Sequence, residues 1–382
     1  MKEIKFHKPN IDSLELKNLA RITKTGWLTT GSEVKKFEKE FLKIFRRKLF
    51  CTAINSCTSG LFLALKAIGI KKNDEVITSD LTFTSTVSSI YHAGAKPVIV
   101  DIDKDSLNMS ISEIKKKITK KTKCIIVVHY SGYPLDIEKI YKLANKKNIK
   151  IIEDAAHCLP SRYKNNLIGE KYSDVTVFSF YATKTLTTGE GGMVLSKYKK
   201  IIDFVKLNSF HGIDRDVYNR YNQAKNNWFY DVKSPGYKFN LTDLAASIGI
   251  SQLKKLNKNY NLRKKISDKY FKYLSKTNLI LPIKDSQIFK SSWHLFVIRI
   301  LSNNKINRDK LSNLLKKKGI GSSVHYVPIH KHSFWKKNLK LKSVDFKNTE
   351  KISKEILSLP IYPDLKLQDV KKISKTIEAL IK

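Results

Sequence analysis

One lysine of this 382-residue chain has a setting that could make its amine reactive. Lys184 lies just after the apolar run DVTVFSF and before a glycine-rich turn, within SFYATKTLTTGEGG at Ser179 to Gly192. A lysine that forms an imine needs a neutral amine part of the time, and burial or nearby cations achieve this by lowering its pKa. Because lysine is abundant in this chain, the setting and not the residue type supports this interpretation.

A carboxylate in a second segment could act with this lysine. Asp154 ends the apolar run IKIIED, within IIEDAAH at Ile151 to His157. Ligands bind at the carboxyl ends of parallel strands, so Asp154 and Lys184 could face one crevice. A buried carboxylate opposite an imine-forming lysine suits pyridoxal phosphate, because it keeps the pyridine nitrogen protonated. The alternative, that Asp154 only caps a strand end, is left open by the spacing.

A third segment could bind a phosphate. Asn55, Ser56 and Cys57 precede a predicted helix over residues 58–67. The first N–H groups of a helix lack partners within the helix and attract anions. Simple capping by Ser56 or Thr58 explains the same residues equally well.

Short apolar runs alternate with amphipathic stretches over residues 75–156. Runs rich in valine and isoleucine suit strands buried on both faces, and crossover helices make such strands parallel. The pattern predicts an α/β fold with a mainly parallel sheet. A chain of this length exceeds the usual size of one core. We therefore expect a large α/β domain with an N-terminal arm over residues 1–250 and a smaller α+β domain over residues 251–382.

The formal net charge of +39, from 73 basic and 34 acidic residues, could attract a polyanion such as nucleic acid or a membrane surface. The lysines, however, are spread in doublets and triplets where helix surfaces and loops are expected. Arginine, the better reader of bases, is scarce beside lysine. A solvated lysine-rich surface is the favoured explanation, and we expect neither nucleic acid nor a membrane as a partner.

The cysteines and the chain start bear on the compartment. The four cysteines form no C-x-x-C pair, and a chain this long needs no disulfide. The first residues lack the apolar run of a signal peptide, and no segment approaches the roughly 18 apolar residues of a membrane helix. We expect a cytoplasmic protein with reduced cysteines.

Nine segments, in order along nearly the whole chain, resemble the DegT/DnrJ/EryC1/StrS family of sugar aminotransferases. They are GWLTTGSEVKKFEKEF, NSCTSGLFLALKAIGI, DEVITSDLTF, KPVIVDID, IIEDAAH, SFYATKTLTTGEGG, SPGYKFNLTDLAASIG, SSVHYVPIH and LSLPIYPDL. The fifth and sixth segments are the most specific. The resemblance implies the fold type I architecture of pyridoxal phosphate enzymes, with the large domain binding the cofactor, and a homodimer whose active sites lie at the subunit interface.

The resemblance also implies roles for single residues. Lys184 falls on the lysine that binds the cofactor as a Schiff base, Asp154 on the partner of the pyridine nitrogen, and His157 on the position near the phenolic oxygen. These three are the expected catalytic residues. Phe83 falls on an aromatic position that stacks on the cofactor ring. The expected ligands of the phosphate are Cys57, Thr58 and Ser179, and the segment expected to reach the neighbouring subunit's cofactor contains Lys238 and Asn240.

The chain departs from the family pattern at a few positions. Cys57 and Gly60 stand where the family more often has glycine and a small residue such as alanine, and Ala182 replaces a frequent proline. Only the backbone of the first turn needs to reach a phosphate. None of these three changes removes a reacting group.

Lys184 favours transamination, because the dehydratases of the family carry histidine in its place. The resemblance implies L-glutamate as amino donor, pyridoxamine phosphate as the form left between the two half-reactions, and a nucleotide-linked keto sugar as acceptor. HGIDRDVYNRY, SPGYKFN and VHYVPIHKH resemble members that aminate carbon 4 of 4-keto-6-deoxy sugars. The nucleotide carrier and the sugar's stereochemistry stay open.

Three histidines in SSVHYVPIHKH are further candidates for the sugar site: His325, His330 and His332. A metal site is the alternative for close histidines, but no carboxylate or cysteine completes a recognisable ligand set, so we expect no metal. Two other functions remain open. One is a pyridoxal phosphate-dependent sugar dehydratase or isomerase, and the other is a basic nucleic-acid-binding regulator, for which no recognition motif is present.

Overall fold

The computed structural model describes residues 3–214 and 229–381. The strands of this part, numbered β1 to β13, are Phe50–Ile54, Glu75–Ser79, Lys96–Val100, Thr122–Val128, Lys150–Asp154, Arg162–Tyr163, Asn166–Leu167, Val175–Ser179, Gly192–Ser196, Leu279–Ile280, Phe289–Lys290, Phe296–Ile300 and Ile356–Leu359. The α-helices, numbered α1 to α12, are Ser13–Thr25, Ser32–Leu42, Cys57–Ala67, Thr84–His92, Ile111–Lys117, Ile137–Asn145, Lys199–Asn208, Asp243–Leu274, Arg308–Lys317, Ser333–Asn338, Lys347–Ile352 and Leu367–Ile381. Short 3-10 turns lie at Tyr130–Gly132, Ile329–Lys331 and Ser343–Asp345.

Seven strands form the central sheet, in the order β1-β9-β8-β5-β4-β2-β3. The neighbours from β8 to β3 pair in parallel, while β9 runs antiparallel to both β8 and β1. The predicted α/β fold with a mainly parallel sheet is confirmed. The order also places the carboxyl ends of β8, β5, β4 and β2 side by side.

Both faces of this sheet are buried, which explains the continuous apolar runs of its strands. In β4, Ile125 and Val127 pack in the core on one face, whereas Cys124 and Ile126 pack in the core on the other. Successive side chains of a strand point to opposite faces, so both sets must be apolar when helices cover both sides.

A second sheet, β10-β12-β13, is antiparallel and belongs to a separate apolar core in the C-terminal part of the chain. A third small sheet, β11-β6-β7, joins residues 289–290 to residues 162–167. Helix α8 contributes Ile250 to the core of the central sheet and Phe271 to the C-terminal core. Because this helix crosses residue 250, the division of the chain there stays a proposal.

None of the helices in the described ranges is long and apolar enough to cross a membrane.

Candidate active site

A cavity of about 620 Å³ opens at the carboxyl ends of β5 and β8. Eight of the residues singled out in the sequence line it: Cys57, Thr58, Phe83, Asp154, His157, Ser179, Lys184 and His325. They come from five separate stretches of the chain. The parallel arrangement of the strands brings these stretches together at one edge of the sheet, as expected for a ligand site.

Lys184 presents its amine to this cavity. Burial lowers the pKa of Lys184 to about 8, against the opposing charge of Asp154. Within the described residues, no side chain or carbonyl accepts a hydrogen bond from its Nζ. An amine that is neutral in a sizeable fraction near pH 8 and is not engaged by the protein can attack an aldehyde.

Asp154 lies at the end of β5 and is almost fully buried. Its Oδ2 accepts a hydrogen bond from the Thr86 hydroxyl at 2.8 Å, and its Oδ1 accepts one from the backbone N–H of Ala156 at 3.2 Å. Burial raises the pKa of the Asp154 carboxyl, whereas the two hydrogen bonds oppose that rise. A protonated ring nitrogen in the cavity would favour the ionised carboxylate further.

His157 is fixed by aromatic neighbours. Its Nε2 lies 2.9 Å from the Tyr326 hydroxyl, and its ring lies 4.4 Å from the ring of His294, centroid to centroid. Burial, with the charges of Lys184 and His325, lowers the pKa of His157 well below its usual value. The ring is therefore neutral and can exchange hydrogen bonds with an oxygen of a ligand.

At the start of helix α3, the first two N–H groups, those of Cys57 and Thr58, have no hydrogen-bond partner in the described residues. Ser56 caps the helix, its Oγ accepting a hydrogen bond from the Ser59 N–H at 3.1 Å. The turn packs so closely on β9 that a Cβ atom at Gly192 would lie 2.9 Å from the backbone nitrogen of Cys57. Capping by Ser56 is therefore present, and Cys57 and Thr58 line the cavity, where a phosphate site stays a prediction.

Phe83 stands at the edge of the cavity as the residue that precedes helix α4. Its ring lies 5.6 Å from that of Tyr326, and it is 56% exposed in the single chain. Ser179, at the end of β8, accepts a hydrogen bond on its Oγ from the Tyr181 N–H at 3.3 Å. His325 lines the same wall, with its Nδ1 2.8 Å from the Ser358 hydroxyl, and burial lowers its pKa to about 4.

Four of the predicted residues do not line this cavity: Lys238, Asn240, His330 and His332. Lys238 donates a hydrogen bond to Asn240 at 2.5 Å, and Asn240 donates one to the Thr30 hydroxyl at 2.6 Å. Of the three histidines expected at a sugar site, only His325 lines this cavity. His330 is buried between two carboxylates, and His332 is partly exposed two residues further on.

Some site residues could not be found from the sequence pattern. Thr86, inside helix α4, donates a hydrogen bond to Asp154. Tyr326, which stands between the two histidines of SSVHYVPIH, forms a hydrogen bond with His157. His294 lines the cavity, and its Nδ1 is buried without a hydrogen-bond partner in the described part of the chain. For Tyr326 the available signal was a polar aromatic residue inside SSVHYVPIH; for His294 and Thr86 the segments singled out in the sequence gave none.

Over residues 3–214 and 229–381, no group of three or more histidine, cysteine, aspartate or glutamate side chains is arranged to hold a metal ion.

The sequence profile of the DegT/DnrJ/EryC1/StrS aminotransferase family matches residues 9–378, so the chain belongs to this family. Among its relatives is the spore coat polysaccharide biosynthesis protein SpsC of Bacillus subtilis, 38% identical over 377 residues, which are 98% of this chain and 96% of SpsC. The resemblance read from the nine segments is confirmed.

Solved structures agree with this assignment. Spr1654 of Streptococcus pneumoniae, described as a sugar aminotransferase and solved in its PLP form, superimposes with a TM-score of 0.92 at 30% identity, over 99% of this chain and 98% of that one. It has also been solved in a PMP form. Helicobacter pylori PseC, an aminotransferase involved in the biosynthesis of pseudoaminic acid, superimposes with a TM-score of 0.91 at 27% identity, over 100% of this chain and 99% of PseC. The predicted fold type I architecture is confirmed.

The residues of the cavity fit pyridoxal phosphate. The cofactor has an aldehyde, a pyridine nitrogen and a phosphate. The cavity offers the low-pKa amine of Lys184, the buried carboxylate of Asp154 and the N–H groups at the start of helix α3. Each feature of the cofactor has a matching group in this chain.

Proposed function

We propose that this protein is a pyridoxal phosphate-dependent aminotransferase that moves an amino group from L-glutamate to carbon 4 of a nucleotide-linked 4-keto-6-deoxy sugar, for the synthesis of a surface polysaccharide or a related glycan. One observation carries the proposal. The amine of Lys184 and the carboxylate of Asp154 line one cavity beside the start of helix α3. This combination serves amine chemistry on an aldehyde-bearing, phosphorylated ring.

When bound, pyridoxal phosphate supplies the aldehyde that takes up the amine and the ring that accepts electrons, and pyridoxamine phosphate carries the amine between the two substrates. The residues of the chain hold the ring and move protons around it. Asp154, oriented by Thr86, stabilises a protonated pyridine nitrogen. The N–H groups of Cys57 and Thr58 bind the phosphate, with Ser179 nearby.

Lys184 has two tasks in this proposal. It holds the cofactor before the donor arrives, and after the donor displaces it, its free amine moves the proton on the α-carbon of the donor. A pKa of about 8 suits both tasks, because a base works best when its pKa lies near the operating pH. His157 accepts or donates a hydrogen bond at the phenolic oxygen, and Tyr326 fixes the orientation of its ring.

The substrate side of the cavity is rich in hydrogen-bonding groups. His294, His325 and Tyr326 line it together with Tyr130. Neutral imidazoles and hydroxyls can donate to sugar hydroxyls. The diphosphate of a nucleotide sugar is attracted by the positive field of a chain with a net charge of +39. The segment HGIDRDVYNRY, which supports the choice of carbon 4, continues into residues 215–228, outside the described part.

A homodimer with shared sites is part of the proposal. Phe83 and Tyr181, both at the cavity, are 56% and 47% exposed in the single chain. Exposed aromatic rings next to a ligand site are commonly covered by a partner. Lys238 and Asn240, which lie outside this cavity, would then face the site of the second subunit.

The test is amine transfer by the purified protein. We expect the protein with bound cofactor to convert L-glutamate to its keto acid in a single turnover, and then to aminate a nucleotide-linked 4-keto-6-deoxy sugar. Lys184→Ala removes the amine and abolishes both steps, while Lys146→Ala, an exposed helix-end lysine, leaves them unchanged. Loss of water from the sugar without amine transfer would instead identify a dehydratase.

A further inference from the structure

His330 lies behind the cavity, with a carboxylate at each nitrogen of its ring. Nδ1 is 2.6 Å from Oδ2 of Asp80, and Nε2 is 2.8 Å from Oε2 of Glu350. An ionised carboxylate only accepts hydrogen bonds, so a ring that serves both acceptors must carry a proton on each nitrogen. The geometry therefore describes an imidazolium between two carboxylates, buried except on the Glu350 side.

Asp80 holds the backbone near His330 as well as its ring. Its Oδ1 accepts a hydrogen bond from the His330 N–H at 2.9 Å, and its carbonyl accepts one from the Ile329 N–H at 2.9 Å. Asp80 directly follows β2 of the central sheet, and Glu350 lies in helix α11. The Asp80–His330–Glu350 cluster thus ties residues 329–330 to one strand end and one helix.

Two members of the cluster lie close in the chain to residues of the active site. Phe83 follows Asp80 by three residues, and Tyr326 precedes His330 by four. The rings of Phe83 and Tyr326 are 5.6 Å apart, and the hydroxyl of Tyr326 lies 2.9 Å from His157. Any shift of residues 80–83 relative to residues 326–330 would therefore move the ring of Phe83 relative to that of Tyr326.

We propose that His330 is a positioning residue, whose doubly protonated ring locks residues 80–83 to residues 326–330 and so sets the positions of Phe83 and Tyr326 for cofactor binding. The inference rests on the proposed function, because it concerns the same cavity. It also gives His330 a role other than the sugar contact expected from the sequence.

The surrounding charges favour the protonated ring. Burial opposes the positive charge, but the hydrogen bonds and charges of Asp80 and Glu350 outweigh it and raise the pKa of His330. Lys331 and Lys354, each 3.2 Å from Glu350, balance the second carboxylate, and the ring of Phe346 covers the imidazole at 5.0 Å. Burial and the nearby charge of Asp101 raise the pKa of the Asp80 carboxyl, whereas the hydrogen bonds and charge of His330 oppose that rise.

The pH dependence follows from the sign of this shift. A group whose pKa is raised in the folded state stabilises the fold fully below its unfolded pKa, about 6.5 for histidine. That contribution is lost as the pH rises through the raised pKa. Above it, the neutral ring has one proton, can donate to only one carboxylate, and the cluster loosens.

The experiment compares His330→Gln with His332→Gln, a histidine two positions along with no side-chain hydrogen bond in the described ranges. Glutamine keeps a single polar donor group without the charge. We expect His330→Gln to bind pyridoxal phosphate about tenfold more weakly than His332→Gln at pH 7, the loss expected for a hydrogen bond to a charged group. The difference in pyridoxal phosphate affinity between the two variants should become smaller as the pH rises. Equal affinities of the two variants at pH 7, or an affinity difference that does not change with pH, would overturn the proposal.

A second readout does not depend on the cofactor. In nuclear magnetic resonance spectra of the whole protein, the ring of His330 should remain protonated to higher pH than a free histidine, whose pKa is about 6.5, and Glu350→Gln should lower its titration midpoint. A midpoint for His330 at or below about 6.5 would refute the cluster even if His330→Gln fails to fold. A protein that shows the raised midpoint but binds no pyridoxal phosphate would refute the proposed function instead.

Discussion

The hydroxyl of Thr86 offers a direct test of how Asp154 is held for the cofactor. It donates to Oδ2 of Asp154 at 2.8 Å, and both groups are buried. Thr86→Val keeps the shape of the side chain and removes this donor. With one hydrogen bond fewer, the ionised carboxylate is less stable, so we expect weaker binding of the protonated pyridine ring.

The magnitude follows from the nature of the bond. A hydrogen bond to a charged group contributes about 1.5–3 kcal/mol. Since about 1.4 kcal/mol corresponds to a factor of ten in an equilibrium constant, Thr86→Val should weaken pyridoxal phosphate binding about tenfold to a hundredfold. Titration of the protein without cofactor, followed by visible absorption, measures this affinity.

Thr176→Val is the matched control for this test. The Thr176 hydroxyl is also buried and donates at 3.2 Å to a carboxylate, that of Glu153, which precedes Asp154 in β5. Neither Thr176 nor Glu153 lines the cavity. Both variants should lose stability, but only Thr86→Val should lose cofactor affinity. Equal affinities for the two variants would refute the role given to Thr86.

Three further predictions concern the same cavity. Because burial lowers the pKa of Lys184 to about 8, the rate at which the cofactor-free protein reacts with pyridoxal phosphate should rise with pH and reach half its maximum near pH 8; a midpoint near 10.5 would contradict the burial of this amine. Gly192→Ala places a Cβ atom 2.9 Å from backbone atoms of the turn before α3, whereas the Cβ atom of Gly60→Ala meets the movable side-chain ends of apolar residues. A thermal melt should therefore show lost stability in both variants, and a phosphate-binding titration should show lost phosphate affinity only in Gly192→Ala. Unchanged phosphate binding by Gly192→Ala would refute the role of the turn. Tyr326→Phe removes the hydroxyl bonded to His157 and should weaken cofactor binding about threefold to tenfold in the same titration used for Thr86, and an unchanged affinity would show that His157 needs no such support.

The sequence contained enough to predict the sheet and the central pair of the site. Asp154 and Lys184 meet because Asp154 ends one strand and Lys184 follows the next strand of the sheet order, and parallel strands end at the same edge. The apolar runs predicted the strands because both faces of the sheet are covered. The nine family segments added Phe83, Thr58 and Ser179, which reach the same cavity.

The contacts that orient these groups could not be predicted from local patterns. Tyr326 reaches His157 across 169 positions of the chain, and His330 reaches Asp80 across 250. Nothing near His330 in the sequence shows that a carboxylate will be buried beside it. Its placement among other histidines suggested a common sugar site, whereas the need to pair a buried charge turns its ring away from the cavity.

The visible absorption spectrum of the purified protein with pyridoxal phosphate, recorded before and after addition of L-glutamate, tests the central claim most directly. We predict a band from the lysine-bound cofactor in the wild type and in Lys146→Ala, bleached by glutamate, and no such band in Lys184→Ala. A band of equal strength in Lys184→Ala would contradict the role of this lysine. A wild-type band that glutamate leaves unchanged would contradict glutamate as the donor.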